Sequence, residues 1–159
     1  MKPGNILAAE HAGHYVLKMS GDVRVTLCAM IDEYLESMFS DEQFCGVILD
    51  LTEVEGVDST TLGLMAKLAL QTHKLIGHYP VLFSPNASIT RLLHSMGFDS
   101  IFVIREQVGK QEDWSVLPVV PADEDNIRGR VIMAHRTLMS LNETNREDFS
   151  ELVNTLERT

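Results

Sequence analysis

The chain has 159 residues, 45% of them hydrophobic, with 23 acidic against 13 basic side chains and a formal charge of −10. That length suits one domain with a sizeable core, with room for an appendage. The charge excludes non-specific nucleic-acid binding, which needs clustered Lys and Arg, and excludes binding to anionic membrane surfaces.

The opening residues, Met1-Lys-Pro-Gly-Asn-Ile-Leu-Ala-Ala-Glu10, hold no long apolar region, so no signal peptide is expected. No run of about 18 apolar residues exists to span a membrane. Residues 5–10 and 14–19 read as a hairpin turning near His11-Ala-Gly13, with Tyr15, Leu17 and Met19 alternating with Val16 and Lys18. Residues 26–39 carry Leu27, Met30, Ile31, Tyr34, Leu35 and Met38 at helical spacing. Cys28 and Cys45 match no metal spacing and are expected as two buried free thiols.

The run Val47-Ile-Leu-Asp-Leu51 has the apolar character of a central strand covered on both faces. An acidic turn is expected over 53–58, then a helix over 59–76 stopped by Gly77. Residues 80–84 read as a third buried strand. Asn86 is a good N-cap for a short helix to about Met96, which Gly97 ends. Residues 101–104 give a last strand. The order is β-β-α-β-α-β-α-β over residues 1–105, an α/β fold with a mixed central β-sheet and helices packed mainly on one face.

Residues 106–122 shift in composition. Gly109, Lys110-Gln-Glu-Asp113, two prolines and the single Trp114 suggest a connector, and Trp114, Val116, Leu117, Val119 and Val120 suggest that it packs back on the domain. Residues 123–159 form a C-terminal helical extension capped by Asp123. Its stripe is Ile127, Val131, Ala134, Leu138, Leu141, Asn145, Phe149, Leu152 and Leu156. As one helix it would run about 50 Å and need a partner for part of the stripe. That partner is a second copy, another protein, or its own second half folded back at a break near Asn142-Glu-Thr-Asn145.

The join of buried strand and second helix holds Asp58-Ser59-Thr60-Thr61, three hydroxyls behind a carboxylate. On residue pattern alone this is a helix cap. None of the six histidines falls in a metal-ligand spacing, so no metal site is expected, and His135 reads as an ordinary helix-surface histidine rather than a phosphorelay acceptor. No nucleophile-elbow, phosphate-loop or dinucleotide fingerprint is present, and no cofactor or enzyme activity is expected. The methionines, Met30, Met38, Met65, Met96, Met133 and Met139 among them, are expected to fill gaps in the core.

Strand, acidic turn and then Asp58-Ser59-Thr60-Thr61-Leu62-Gly63 resemble the STAS domain of bacterial anti-sigma-factor antagonists, which carry an Asp-Ser-Ser/Thr-Gly-Leu-Gly segment at a helix start. Leu17-Lys-Met-Ser-Gly21 resembles their strand into a Gly-acidic turn. Ile89-Thr-Arg-Leu-Leu-His-Ser-Met-Gly-Phe98 and Ile101-Phe-Val-Ile104 resemble their later helix and final strand. The resemblance covers about residues 5–105 and is nearest to the HsbA-like group, which also has a C-terminal helical extension.

The resemblance implies a cytoplasmic partner-switching protein. The serine after the aspartate, here Ser59 behind Asp58, would be phosphorylated by a kinase that is also an anti-sigma factor and dephosphorylated by a serine phosphatase. The unphosphorylated form would bind the anti-sigma partner through the second helix and adjacent turns, and a diguanylate cyclase is a further implied partner. Thr60 is the second choice of phosphosite. Two positions depart from the family pattern. Thr61 stands where many members have Gly. In Gly21-Asp22-Val23-Arg24, Arg24 stands where many have Asp, and it would pair with the phosphate or with Asp58. The alternatives are a ligand-sensing module with a pocket between sheet and helices, and an oligomerisation module, such as a homodimer, built on the C-terminal helix.

Overall fold

The structure, a computed structural model, describes residues 1–106 and 115–158. Gly109, the 110–113 run and Trp114 lie outside the described residues. Six strands form one sheet in the order β5-β4-β3-β2-β1-β6. β1 (Asn5–His11) and β2 (His14–Val23) pair antiparallel, with His11 opposite His14. The two residues between them, Ala12 and Gly13, both have positive φ, the geometry a tight two-residue hairpin needs. β3 (Gly46–Val57), β4 (Val81–Phe83) and β5 (Val103–Arg105) add in parallel. β6 (Ser115–Val116) pairs antiparallel with β1 at the other edge.

The helices between the parallel strands are α1 (Cys28–Ser40, entered through a 3-10 turn at Val25–Leu27), α2 (Ser59–Ile76) and α3 (Ala87–Ser95). Each of the three crossovers advances one strand in the same direction, so right-handed connections place all three helices on one face. Leu17, Met19, Leu49, Leu51 and Leu82 pack there against Ile31, Leu35, Met38, Met65, Leu68 and Leu93, all of them buried. Each such side chain contributes about 2 kcal/mol by leaving water.

The predicted element order over residues 1–105 is the observed one. Three details differ. First, residues 53–57 are strand, not turn. β3 runs on to Val57 because β2 runs on beside it to Val23, with register shifts between Lys18 and Ser20 and between Gly21 and Asp22. Val54 is buried between exposed Glu53 and Glu55, the alternation of a strand with one wet face. Second, Cys28 is buried but Cys45 is exposed, and both are free. Third, Met30, Met38 and Met65 are core residues, whereas Met133 is 55% exposed.

Beside β6, Leu117 is buried, and its N–H donates to the Ile6 carbonyl. The C-terminal extension is two helices, α4 (Glu124–Met139) and α5 (Glu143–Glu157). Asp123 caps α4 by accepting from the Asn126 N–H, and Asn142 caps α5 by accepting from the Asn145 N–H. α4 packs along α2 and touches α1, and α5 packs back on α4, a second helical layer above the first. Much of the stripe therefore packs inside the chain, while Leu152 stays 41% exposed.

At the hairpin end, the Tyr15 hydroxyl donates to Asp41 Oδ2 at 2.6 Å. Burial, then this bond, raises the Tyr15 pKa, and accepting the bond lowers that of Asp41. A folded-state pKa above the unfolded value of about 10 means stability present below pH ~10 and lost as pH rises above it. Tyr15→Phe should flatten that alkaline loss, seen as a smaller drop in urea midpoint between about pH 9 and about pH 11.

Candidate functional site

The junction between β3 and α2 lies at the C-terminal edge of the parallel strands. Asp58, not Ser59, is the N-cap of α2. It has extended backbone, and its Oδ1 accepts from the Thr61 N–H at 2.9 Å. Its Oδ2 accepts from the Val25 N–H at 2.6 Å, tying the turn after β2 to the head of α2. Both carboxylate oxygens thus serve backbone donors.

Ser59 is the first residue of α2 and is half-buried. Thr60 and Thr61 are buried, and the Thr61 hydroxyl donates to the Val23 carbonyl at 3.3 Å. Of the three hydroxyl residues, Ser59 alone keeps substantial exposure. Thr61 sits in regular helix with φ and ψ that a side chain accepts, so its replacement of glycine leaves the α2 start intact.

Arg24 makes its ion pair with Asp22 rather than with Asp58. Its Nε lies 2.9 Å from the Asp22 carboxylate, and this bond is the main cause that raises its pKa. Asp22 and Arg24 thereby neutralise each other beside the turn into α2. Asp58 lies directly behind Ser59, and further back along β3 Glu53 and Glu55 are exposed, with Glu53 paired to Lys18 at 3.2 Å.

The residue the sequence reading placed wrongly is His135. It is 1% exposed, and its Nε2 lies 2.8 Å from Ser59 Oγ. Its Nδ1 lies 2.6 Å from the Val131 carbonyl, which can only accept, so in the neutral imidazole the hydrogen sits on Nδ1 and Nε2 accepts from the Ser59 hydroxyl. The Phe149 ring of α5 meets the imidazole edge to face, with centroids 5.1 Å apart. The signal was present in the spacing: His135 is four residues after Val131 and three before Leu138, on the stripe itself.

Three further contacts hold α4–α5 over α2. Gly63 meets Ala134 backbone to backbone, where a Cβ on Gly63 would fall 2.4 Å from the Ala134 oxygen. Asp32 of α1 bonds both Lys67 of α2 and Arg130 of α4, at 2.7 and 3.0 Å. The buried Asn145 side chain donates to the carbonyls of Met96 and Leu138. The outer face of α2, expected as a docking surface, is consequently covered by α4.

Among the described residues no group of three His, Cys, Asp or Glu side chains could hold a metal ion, and no helix is long and apolar enough to cross a membrane. A groove of about 580 Å³ lies at the opposite end of the sheet, lined by His11, His14, Tyr15, Cys45, His78 and Tyr79 among others. It does not touch Ser59.

Residues 5–111 match the STAS domain family. Solved structures with a similar fold include a putative anti-sigma factor antagonist from Thermotoga maritima, 20% identical, with a TM-score of 0.56 over 64% of this chain and 86% of that one. An anti-sigma factor antagonist from Mycobacterium paratuberculosis is 21% identical, with a TM-score of 0.52 over 67% of this chain and 88% of that one. The Bacillus cell fate determinant SpoIIAA in its phosphorylated form is 12% identical, with a TM-score of 0.52 over 64% of this chain and 90% of that one. What these three share with the present chain is the fold. With the match spanning well over half of its residues, the chain belongs to the STAS domain family.

Proposed function

We propose that this protein is a cytoplasmic anti-sigma-factor antagonist of the HsbA-like kind, switched by reversible phosphorylation of Ser59. Residues 1–105 would be its STAS unit and residues 123–159 its extension. The observation that carries the reading is Ser59 itself: a half-buried serine on the first residue of α2, followed by buried Thr60 and Thr61, in a STAS fold. Its partners would be an anti-sigma factor with serine kinase activity and a serine phosphatase, with a diguanylate cyclase further along the same pathway. A phosphate on Ser59 would add about −1.5 to −2 charges to a turn already holding Asp58. That added charge and its desolvation would repel a partner docked at the turn without refolding the domain.

The test is a pair of variants in quantitative binding to an anti-sigma kinase of the same genome, with phosphosite mapping of the wild-type chain after incubation with that kinase and ATP. Ser59→Ala should bind in every condition. Ser59→Asp should bind about tenfold or more weakly. Equal affinities for the two variants, or a phosphate mapped elsewhere, would sink the switch.

A further inference from the structure

We propose that the α4–α5 hairpin is the element that reads the state of Ser59: docked on α2 while Ser59 carries a hydroxyl, released from α2 when it carries a phosphate. This rests on the reading of Ser59 as the switch residue and adds what the switch moves.

The hydroxyl contributes one proton to the contact, and the buried His135 Nε2 is its acceptor at 2.8 Å. In phosphorylation, Ser59 Oγ forms a bond to the γ-phosphorus of a nucleoside triphosphate, the bond to the nucleoside diphosphate breaks, and the hydroxyl proton leaves to the kinase's base. The resulting ester oxygen has no hydrogen to donate. Hydrogen-bond distance between Oγ and Nε2 leaves no room for a phosphoryl group between them. The imidazole cannot turn to meet the new charge while its Nδ1–H is held by the Val131 carbonyl and its face by Phe149.

In the unmodified chain Asp58 Oδ1 caps α2 and its Oδ2 holds the Val25 N–H, Arg24 Nε lies on Asp22, and Lys67 and Arg130 share Asp32. A dianion at Ser59 therefore faces a carboxylate on one side and a buried ring on the other. The element free to yield is the hairpin, because its docking is a set of separate contacts rather than part of the sheet: Gly63 on Ala134, Arg130 on Asp32, and Asn145 on two carbonyls. Release would uncover the outer face of α2 together with Ala134 and Leu138, both buried now. One modification would so reshape a large surface while β1–β5 and α1–α3 stay as they are.

The experiment is hydrogen–deuterium exchange on the full chain carrying genetically encoded phosphoserine at position 59, beside the unmodified chain, Ser59→Ala and Ser59→Glu. Phosphoserine should speed exchange across α4 and α5 by about a hundredfold, with β3 and the second half of α2 unchanged. Ser59→Glu should move the same way, and Ser59→Ala, which adds no charge, only a few-fold. His135→Ala should loosen the hairpin by itself and make its exchange insensitive to phosphate. Hairpin protection equal to or greater than that of the unmodified chain, as a protonated His135 gripping the phosphate would give, overturns the proposal. That result would leave the binding test of Ser59 standing. Conversely, hairpin release in a chain whose partner ignores Ser59 would sink the antagonist switch and keep the latch.

Discussion

Gly63→Val should destabilise the protein by about 3 kcal/mol, the upper end of what overpacking a close contact costs. A Cβ at this position meets the Ala134 oxygen at 2.4 Å, its Cβ at 2.5 Å and its carbonyl carbon at 2.6 Å. Two of those three atoms are backbone, so no rotamer change relieves them. The helices must separate, and the Ser59–His135 bond one turn away separates with them. Urea unfolding should show the loss, and exchange should localise it to α4 and α5 rather than to β3. Gly129 is the control. It lies in α4 with nothing within 4 Å of its would-be Cβ, so Gly129→Ala should stabilise by about 0.5–1 kcal/mol through helix propensity alone. If both glycines tolerate alanine equally, the crossing is not the close one described.

This crossing also marks where the sequence stops being legible. The sheet order, the three crossover helices and their glycine stops at Gly77 and Gly97 follow from apolar runs and caps, which are local signals. The cap of α5 at Asn142 was visible as a possible break in the stripe, but the choice between one helix and two depends on what the stripe packs against. That is long-range information. β3 was read too short for the same reason: Glu53 and Glu55 look like a turn until β2 runs beside them, with Lys18 reaching Glu53 at 3.2 Å. Arg24 was expected to face phosphate or Asp58, and its choice of Asp22, two residues away, is a matter of a single side-chain rotation.

His135 is the instructive case. Its spacing put it on the apolar stripe, yet a lone histidine on a helix is usually solvated, and nothing in the residues 76 positions earlier announces a partner. Only the fold-back of α4 brings it to Ser59. The strand–serine–helix junction was legible because its chemistry is contiguous in the chain. The contact that covers it was not, because it joins the two ends of the molecule.

Asp58→Ala should cost about 3 kcal/mol, comparable to a core truncation although the residue is not buried. Two losses combine. Removing a helix N-cap costs about 1 kcal/mol, here the bond from the Thr61 N–H to Oδ1. Removing a charged acceptor from a backbone donor costs about 1.5–3 kcal/mol, here the 2.6 Å bond from the Val25 N–H to Oδ2. Asp58→Asn separates them. An amide keeps one acceptor oxygen and turns an NH2 toward the other donor, so it should recover the cap and lose the tie to Val25, at a cost of about 2 kcal/mol. Denaturant midpoints of the two variants against wild type measure both steps, and an Asn variant as stable as wild type would show that the tie to the β2 turn carries no weight. The consequence reaches Ser59. The carboxylate that fixes the start of α2 also fixes the direction in which the serine hydroxyl leaves the helix, toward His135. In Asp58→Ala the first turn of α2 should fray, and exchange at Ser59 and Thr60 should rise before any change reaches the core strands.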